Sequence, residues 1–297
     1  MTILSVQKLS KRYGAIQALR EVAFDVPQGS VFGILGPNGS GKTTLLGIVM
    51  DVLRPTSGSF QLFGELPTAA HRRRIGALLE TPNFYHYLSA EQNLKVAAAI
   101  KGKGEADIPS VLARVNLLER KDSAFSTFSL GMKQRLAIAS SLLGSPELLV
   151  LDEPTNGLDP VGIAEIRELI KSLAREGKTI IMASHLLDEV ERVCTHMALL
   201  KKGQLLISGK VSDILAPGDI VEVRAVAGTP DITAALEAFP GVQKVRTEEG
   251  LLELVFTQRE TRLGELNEYC FSKGIILEHL ALKRKSLEAR FIELTEN

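Results

Sequence analysis

The chain has 297 residues, 45% of them hydrophobic and 24% charged, and Lys plus Arg balance Asp plus Glu at 35 each. That composition excludes a disordered polar chain and allows one large domain, or a large and a small one. Zero net charge gives no electrostatic reason to expect a nucleic-acid partner. The two cysteines, Cys194 and Cys270, have no metal-like spacing and suit a reducing compartment, where both are expected to be buried as small hydrophobes.

The N-terminus lacks a basic region followed by a long apolar run, so no signal peptide is expected. No stretch reaches the roughly 18 apolar residues of a spanning helix. The chain is expected in the cytoplasm, and a membrane process would need another chain to cross the bilayer. Alternating apolar residues at Ile3–Val6 and Val22–Val26 predict strands of a small antiparallel sheet. The continuous run Val31–Leu35, bounded by Gly29 and Gly36, predicts a strand buried on both faces. A helix over Lys42–Met50 follows. Residues 83–126 are rich in helix formers, at Leu94–Ile100 and Val111–Leu118. Leu148–Leu151, Thr179–Ala183 and Met197–Leu200 read as further buried strands. A helix over Gly162–Glu176 places Ile163, Ile166, Ile170 and Leu173 on one face. Strands alternating with helices predict an α/β fold on a parallel sheet.

Ala216-Pro217-Gly218 reads as a linker. Beyond it come a strand at Ile220–Val223, a helix at Ile232–Phe239, strands at Val242–Arg246 and Leu251–Phe256, a helix at Arg262–Lys273 and a final segment. This order predicts a small α+β unit. The expected division is residues 1–216, with a helical subdomain at about 83–145, and residues 217–297.

Between the strand Val31–Leu35 and the next helix stands Gly36-Pro37-Asn38-Gly39-Ser40-Gly41-Lys42-Thr43, followed by Thr44. Glycines let the backbone turn tightly and aim N–H groups at phosphate oxygens, and the helix N-terminus adds a favourable dipole. Lys42 is expected to reach the β and γ phosphates, Thr43 to ligate Mg²⁺, and Thr44 to bond the α phosphate. The apolar strand Leu148–Leu151 ends in Asp152-Glu153. Asp152 is placed to hold Mg²⁺, and Glu153 to orient or deprotonate an attacking water. Ser129 precedes a helix over Gly131–Leu143, where a simple N-cap would look the same.

Ser129-Leu130-Gly131-Met132-Lys133-Gln134-Arg135 resembles the signature motif of ABC ATPases. Asn156-Gly157-Leu158-Asp159 resembles their D-loop, and Ser184-His185 their switch-histidine segment. Tyr13 lies where that family stacks an aromatic ring on adenine. The resemblance covers about residues 3–209. It implies the ABC nucleotide-binding core, an antiparallel β subdomain and a helical subdomain, here followed by a small α+β domain. It also implies ATP hydrolysis with Mg²⁺, with His185 contacting the γ-phosphate, and a head-to-tail homodimer in which Ser129 and the Gly131 amide face the partner's ATP. A separate transmembrane permease subunit is implied, with the chain peripheral on the inner face of the membrane. Glu80 stands where the family usually has a glutamine that coordinates Mg²⁺. That substitution, with Phe84-Tyr85, Leu130 and Met132, resembles the branch serving bacitracin-type and lantibiotic exporters. The residues 287–295 resemble the tail of exporter ATPases with an accessory domain. The alternative, a soluble ABC ATPase acting on ribosomes or DNA, usually has two cradles or a long coiled-coil insertion; this chain has neither.

Overall fold

The computed structural model describes residues 1–79, 83–215, 220–226, 232–248, 251–256, 263–283, 287 and 291. The expected linker at 216–218 lies outside the described residues, as does Glu80 and all of the 287–295 tail but Leu287 and Phe291. The chain divides into two compact units, Met1–Val211 and Ser212–Asn297.

The first unit opens with β1 (Thr2–Tyr13), β2 (Ile16–Pro27), β3 (Val31–Leu35), α1 (Lys42–Val49) and β4 (Ser57–Leu62). β1, β2 and β4 form an antiparallel sheet in the order β2-β1-β4. β1 and β2 are longer than their apolar alternation predicts. The ladder continues through register shifts near Lys8 and Glu21, both at positive φ, where bulges reset which residues face inward. On β2, Val22, Phe24 and Val26 alternate into the core as period 2 requires.

α2 (Ala69–Arg72) and β5 (Ile75–Leu78) lead to the helices α3 (Ala90–Lys101), α4 (Ile108–Arg114) and α5 (Leu130–Leu142). Ser89 and Gln92 form a capping box at the start of α3, and Gly102 ends it in the left-handed conformation. The last carbonyls of α5 and the loop after it accept from lysines. Lys101 Nζ donates to Ser140 O at 2.8 Å, Lys103 Nζ to Gly144 O at 3.1 Å, and Lys178 Nζ to Pro146 O at 2.7 Å. These amines add donors where the helix ends: among the described residues Ser140 O otherwise accepts only from Leu143 N at 3.4 Å, and Gly144 and Pro146 lie beyond the last turn. Burial pushes the Lys101 amine down to about 8, with neighbouring Lys103 adding to the shift.

β6 (Leu148–Asp152), α6 (Pro160–Arg175), β7 (Thr179–Ser184), α7 (Leu187–Val193), β8 (His196–Lys201) and β9 (Gln204–Lys210) follow, and α8 (Val211–Ile214) begins at the last residue of the unit. The second sheet runs β5-β6-β7-β3-β8-β9. Its first five strands are parallel and β9 is an antiparallel edge. β3, β6 and β7 are buried along their whole length, as continuous apolar runs require. Ile166, Ile170 and Leu173 form the buried stripe of α6, with Ile163 only partly buried near its start. Cys194 is buried here, and burial pushes its thiol far up, so it behaves as a hydrophobe.

The second unit contains β10 (Ile220–Ala225), α9 (Thr233–Glu237), β11 (Val242–Glu248), β12 (Leu251–Phe256), α10 (Leu263–Ser272) and β13 (Leu277–Lys283). Its antiparallel sheet runs β11-β12-β10-β13, so the final segment is a strand beside β10. Val221, Val223, Leu254 and Phe256 pack with Leu236 of α9 and with Leu266 and Cys270 of α10. The architecture is the α/β class expected, with a parallel-sheet core, an antiparallel β subdomain, a group of helices and a small α+β unit.

Candidate functional site

Three parallel neighbours deliver the site. In the register of the sheet Leu35 pairs with Ser184, and Asp152 with Ala183. The C-terminal ends of β3, β6 and β7 therefore lie side by side, and the segments after them meet at one edge. Open α/β sheets bind ligands at this edge.

After β3 the chain turns through residues 36–41. A Cβ on Gly36 would lie 2.3 Å from Leu200 O and 2.5 Å from Ser40 Oγ, so no side chain fits. Gly41 has φ +108, and a Cβ there would meet Ala18 O at 2.7 Å. β2 and β8 thus press the loop into its curve from both sides. α1 starts at Gly41 without a side-chain cap, which leaves its first N–H groups for a ligand. Ser40 Oγ is buried with no hydrogen-bond partner among the described residues. Thr43 is exposed and Thr44 half-buried at the head of the helix. Asn38 and Gly39 form the exposed tip of the loop. These are the donors that a polyphosphate needs.

Lys42 is buried, and its amine donates to Gly36 O at 2.7 Å and to Pro37 O at 3.4 Å. It also lies 3.4 Å from Glu153 Oε1. Glu153 is the first residue past β6. Its φ is +48, and its N–H donates to Ala183 O at 3.0 Å. Its other oxygen, Oε2, is 2.9 Å from His185 Nδ1. His185 follows β7 and is half exposed. Ser184 just before it is fully buried, and its hydroxyl accepts from Leu186 N at 3.0 Å, which fixes the turn that presents His185. One carboxylate therefore bridges an ammonium and an imidazole where the three strands end.

Asp152 is buried at the last position of β6. No group of three or more His, Cys, Asp or Glu suited to a metal occurs among the described residues. A hard cation here would take oxygens from Thr43, Asp152, phosphate and water, which suits Mg²⁺, an ion that keeps several waters. Glu80, the third expected ligand, lies outside the described residues.

Ser129 is the N-cap of α5. Its hydroxyl accepts from Met132 N at 3.3 Å, its only hydrogen bond among the described residues. Ser129 and Leu130 are exposed and Gly131 is partly exposed, so the N-terminus of the helix is open to solvent. Among the described residues no hydrogen bond or ion pair joins these three to the phosphate loop. Tyr13 ends β1 opposite Ile16, is 44% exposed, and carries Lys11 Nζ 5.0 Å above its ring. Its face is not consumed by core packing.

Sequence reasoning did not anticipate two features. One is the direct contact of Glu153 with both Lys42 and His185, which depends on strand order. The other is the packing of residues 130–131 on the turn at 157–158, a long-range contact for which local sequence carries no signal.

A family model described as ABC transporter matches residues 19–156. The lantibiotic transport ATP-binding protein SrtF of Streptococcus pyogenes is 42% identical over 205 residues, covering 69% of this chain and 90% of that protein. The bacitracin transport ATP-binding protein BcrA of Enterococcus faecalis is 32% identical over 298 residues, 98% of this chain and 96% of that protein. Its match therefore runs through the second unit as well. Among solved structures, cbiO1 from Clostridium perfringens, part of an ABC transporter complex, has a TM-score of 0.66 at 31% identity and covers 72% of this chain and 90% of its own.

Proposed function

The chain belongs to the ABC transporter family of ATP-binding proteins, in the branch of the lantibiotic and bacitracin transport ATPases, and from that premise we propose its chemistry and its partners. It is an ATP-hydrolysing subunit that energises transport through a separate permease; a soluble ATPase acting on ribosomes or DNA is disfavoured. The carrying observation is the Glu153 carboxylate, 3.4 Å from Lys42 and 2.9 Å from His185 at the carboxyl edge of the sheet.

In the proposed mechanism, the N–H groups of residues 39–44 and the Lys42 amine hold the β and γ phosphates of ATP. Tyr13 stacks on adenine. Mg²⁺, when bound, neutralises phosphate charge, and Thr43, Asp152 and Glu80 are the residues that would hold it. Glu153 accepts a proton from water as its oxygen attacks the γ-phosphorus. The bond to the bridging oxygen breaks, and ADP and phosphate leave. His185 keeps the Glu153 carboxylate aimed and contacts the γ-phosphate. Lys42 balances negative charge as it spreads to the leaving group.

Two copies pack head to tail, so that the exposed Ser129 and the Gly131 amide of one chain complete the γ-phosphate site of the other. No helix among the described residues is long and apolar enough to cross a membrane, and the chain is read as peripheral, on the inner face. An open groove of about 510 Å³ between α3, α5 and the end of β5 is a fitting permease contact. Tyr85 and Ile100 at its rim are 52% and 82% exposed, an apolar surface of the kind that marks an interface. The cargo class, a peptide antibiotic, rests on the relatives' names.

The test begins with the gene neighbourhood: a six-helix hydrophobic protein encoded beside this chain is the candidate permease, and the two are co-expressed and reconstituted in liposomes. The complex is expected to form and to hydrolyse ATP several-fold faster with a bacitracin- or lantibiotic-type peptide present. Failure to co-purify, with an ATPase rate indifferent to the membrane protein, would overturn the transport reading. A second test addresses Glu80. Replacing the Glu80 carboxylate by an amide removes an attraction for a divalent cation, so Glu80→Gln should raise the Mg²⁺ concentration for half-maximal turnover several-fold. Unchanged metal dependence refutes the acidic metal site.

A further inference from the structure

Two leucines and two glycines face each other between the start of α5 and the turn after β6. A Cβ on Gly157 would lie 3.0 Å from Leu130 Cδ2, and one on Gly131 would lie 3.8 Å from Leu158 Cδ2. Each segment thus presents a leucine to the other's glycine. Gly157 also has φ +74, so a side chain there is disfavoured by both backbone and space. The turn is braced along its length. Asn156 N donates to Glu153 O at 3.1 Å, Leu158 N to Thr155 O at 3.3 Å, and Gly162 N to Asp159 Oδ1 at 2.8 Å. Its first residue is Glu153. Leu130 is 49% exposed, so its contact with Gly157 is not part of the core.

We propose that Leu130 and Leu158 form an interlock within one chain that holds residues 153–159, and through them the Glu153 carboxylate, in register with the N-terminus of α5. Leu130 is then a positioning residue for hydrolysis. It touches no reacting atom, and it acts because the turn that carries Glu153 cannot shift without opening the leucine contacts. A displacement of about 1 Å at a reacting group costs up to roughly 100-fold in rate. The interlock also makes any movement of α5 a movement of the Glu153 turn. The inference rests on the ATPase reading above.

A double-mutant cycle on the full-length chain tests it, with steady-state ATP hydrolysis as the readout. Leu130→Ala and Leu158→Ala are each expected to lower kcat roughly tenfold with KM for ATP within about twofold, and the double variant to fall little further, because opening either of the two leucine–glycine contacts already frees the same turn. Leu130→Met, which refills the space, should keep at least about half the rate. Gly157→Ala, which crowds Leu130 from the other side, provides an independent leg should Leu158→Ala fold poorly, and adding Leu130→Ala should recover part of its loss. Losses that multiply in the double variant, a wild-type kcat in Leu130→Ala, or a loss carried by KM would each overturn the interlock. A Glu153→Gln control separates the two readings. If it is inactive while the leucine variants are normal, only the interlock fails; if it is as fast as the native chain, the role of Glu153 as base, on which the interlock rests, fails.

Discussion

Glu153→Gln is expected to lower single-turnover ATP hydrolysis by about 10²- to 10⁴-fold, the range for removing a positioned general base. The amide keeps the shape of the carboxylate and its place after β6, so the loss isolates charge and basicity from packing. The other consequences follow from the two contacts of that side chain. Glu153 Oε1 lies 3.4 Å from Lys42 Nζ, and Oε2 lies 2.9 Å from His185 Nδ1. The glutamine leaves Lys42 without a competing anion, so ATP affinity should be maintained or increased while turnover collapses. Rapid-quench measurement of phosphate release beside a fluorescent ATP titration separates the two. A residual rate within tenfold of the native chain, or an affinity that falls with the rate, would remove Glu153 from the role of base.

Lys42→Ala is expected to weaken ATP binding by roughly 100-fold. A hydrogen bond to a charged partner contributes about 1.5–3 kcal/mol, and 1.4 kcal/mol is tenfold in Kd. Lys42 is 6% exposed and held by Gly36 O and Pro37 O, so its amine is fixed in place and loses little rotamer freedom when phosphate binds. Lys42→Arg should not restore binding, because the longer planar guanidinium does not fit a cradle in which even a methyl group on Gly36 would meet Leu200 O at 2.3 Å. Equilibrium titration with ATP is the measurement. Native-like affinity in Lys42→Ala would show that the loop amides alone carry the phosphate.

Much of this was legible in the sequence because several strands are unbroken apolar runs. Val31–Leu35 and Leu148–Leu151 announce strands buried on both faces; glycines follow the first and the carboxylates Asp152 and Glu153 the second. The order of the strands was not legible. β3 pairs with β7 and β8, and β6 lies between β5 and β7, so the contacts among Lys42, Glu153 and His185 arise from crossovers that local periodicity does not encode. The lengths of β1 and β2 were also missed, since their bulges at Lys8 and Glu21 break the alternation that defines a strand in sequence. The lysines that serve the end of α5 come from positions 101, 103 and 178, a long-range arrangement of side chains that read singly as surface charge.

The backbone of Glu153 has a wider implication. A residue with a Cβ in the left-handed region costs roughly 1–2 kcal/mol, and only glycine sits there freely. The chain holds a glutamate in that conformation, immediately after a strand with no exposed residue, with its N–H donating to Ala183 O and its carbonyl accepting from Asn156 N. A glycine at 153 would relieve that strain and remove the proposed base with it. At this position the protein lies away from its own stability optimum, and searches for more heat-resistant variants would be drawn to the residue proposed as the base.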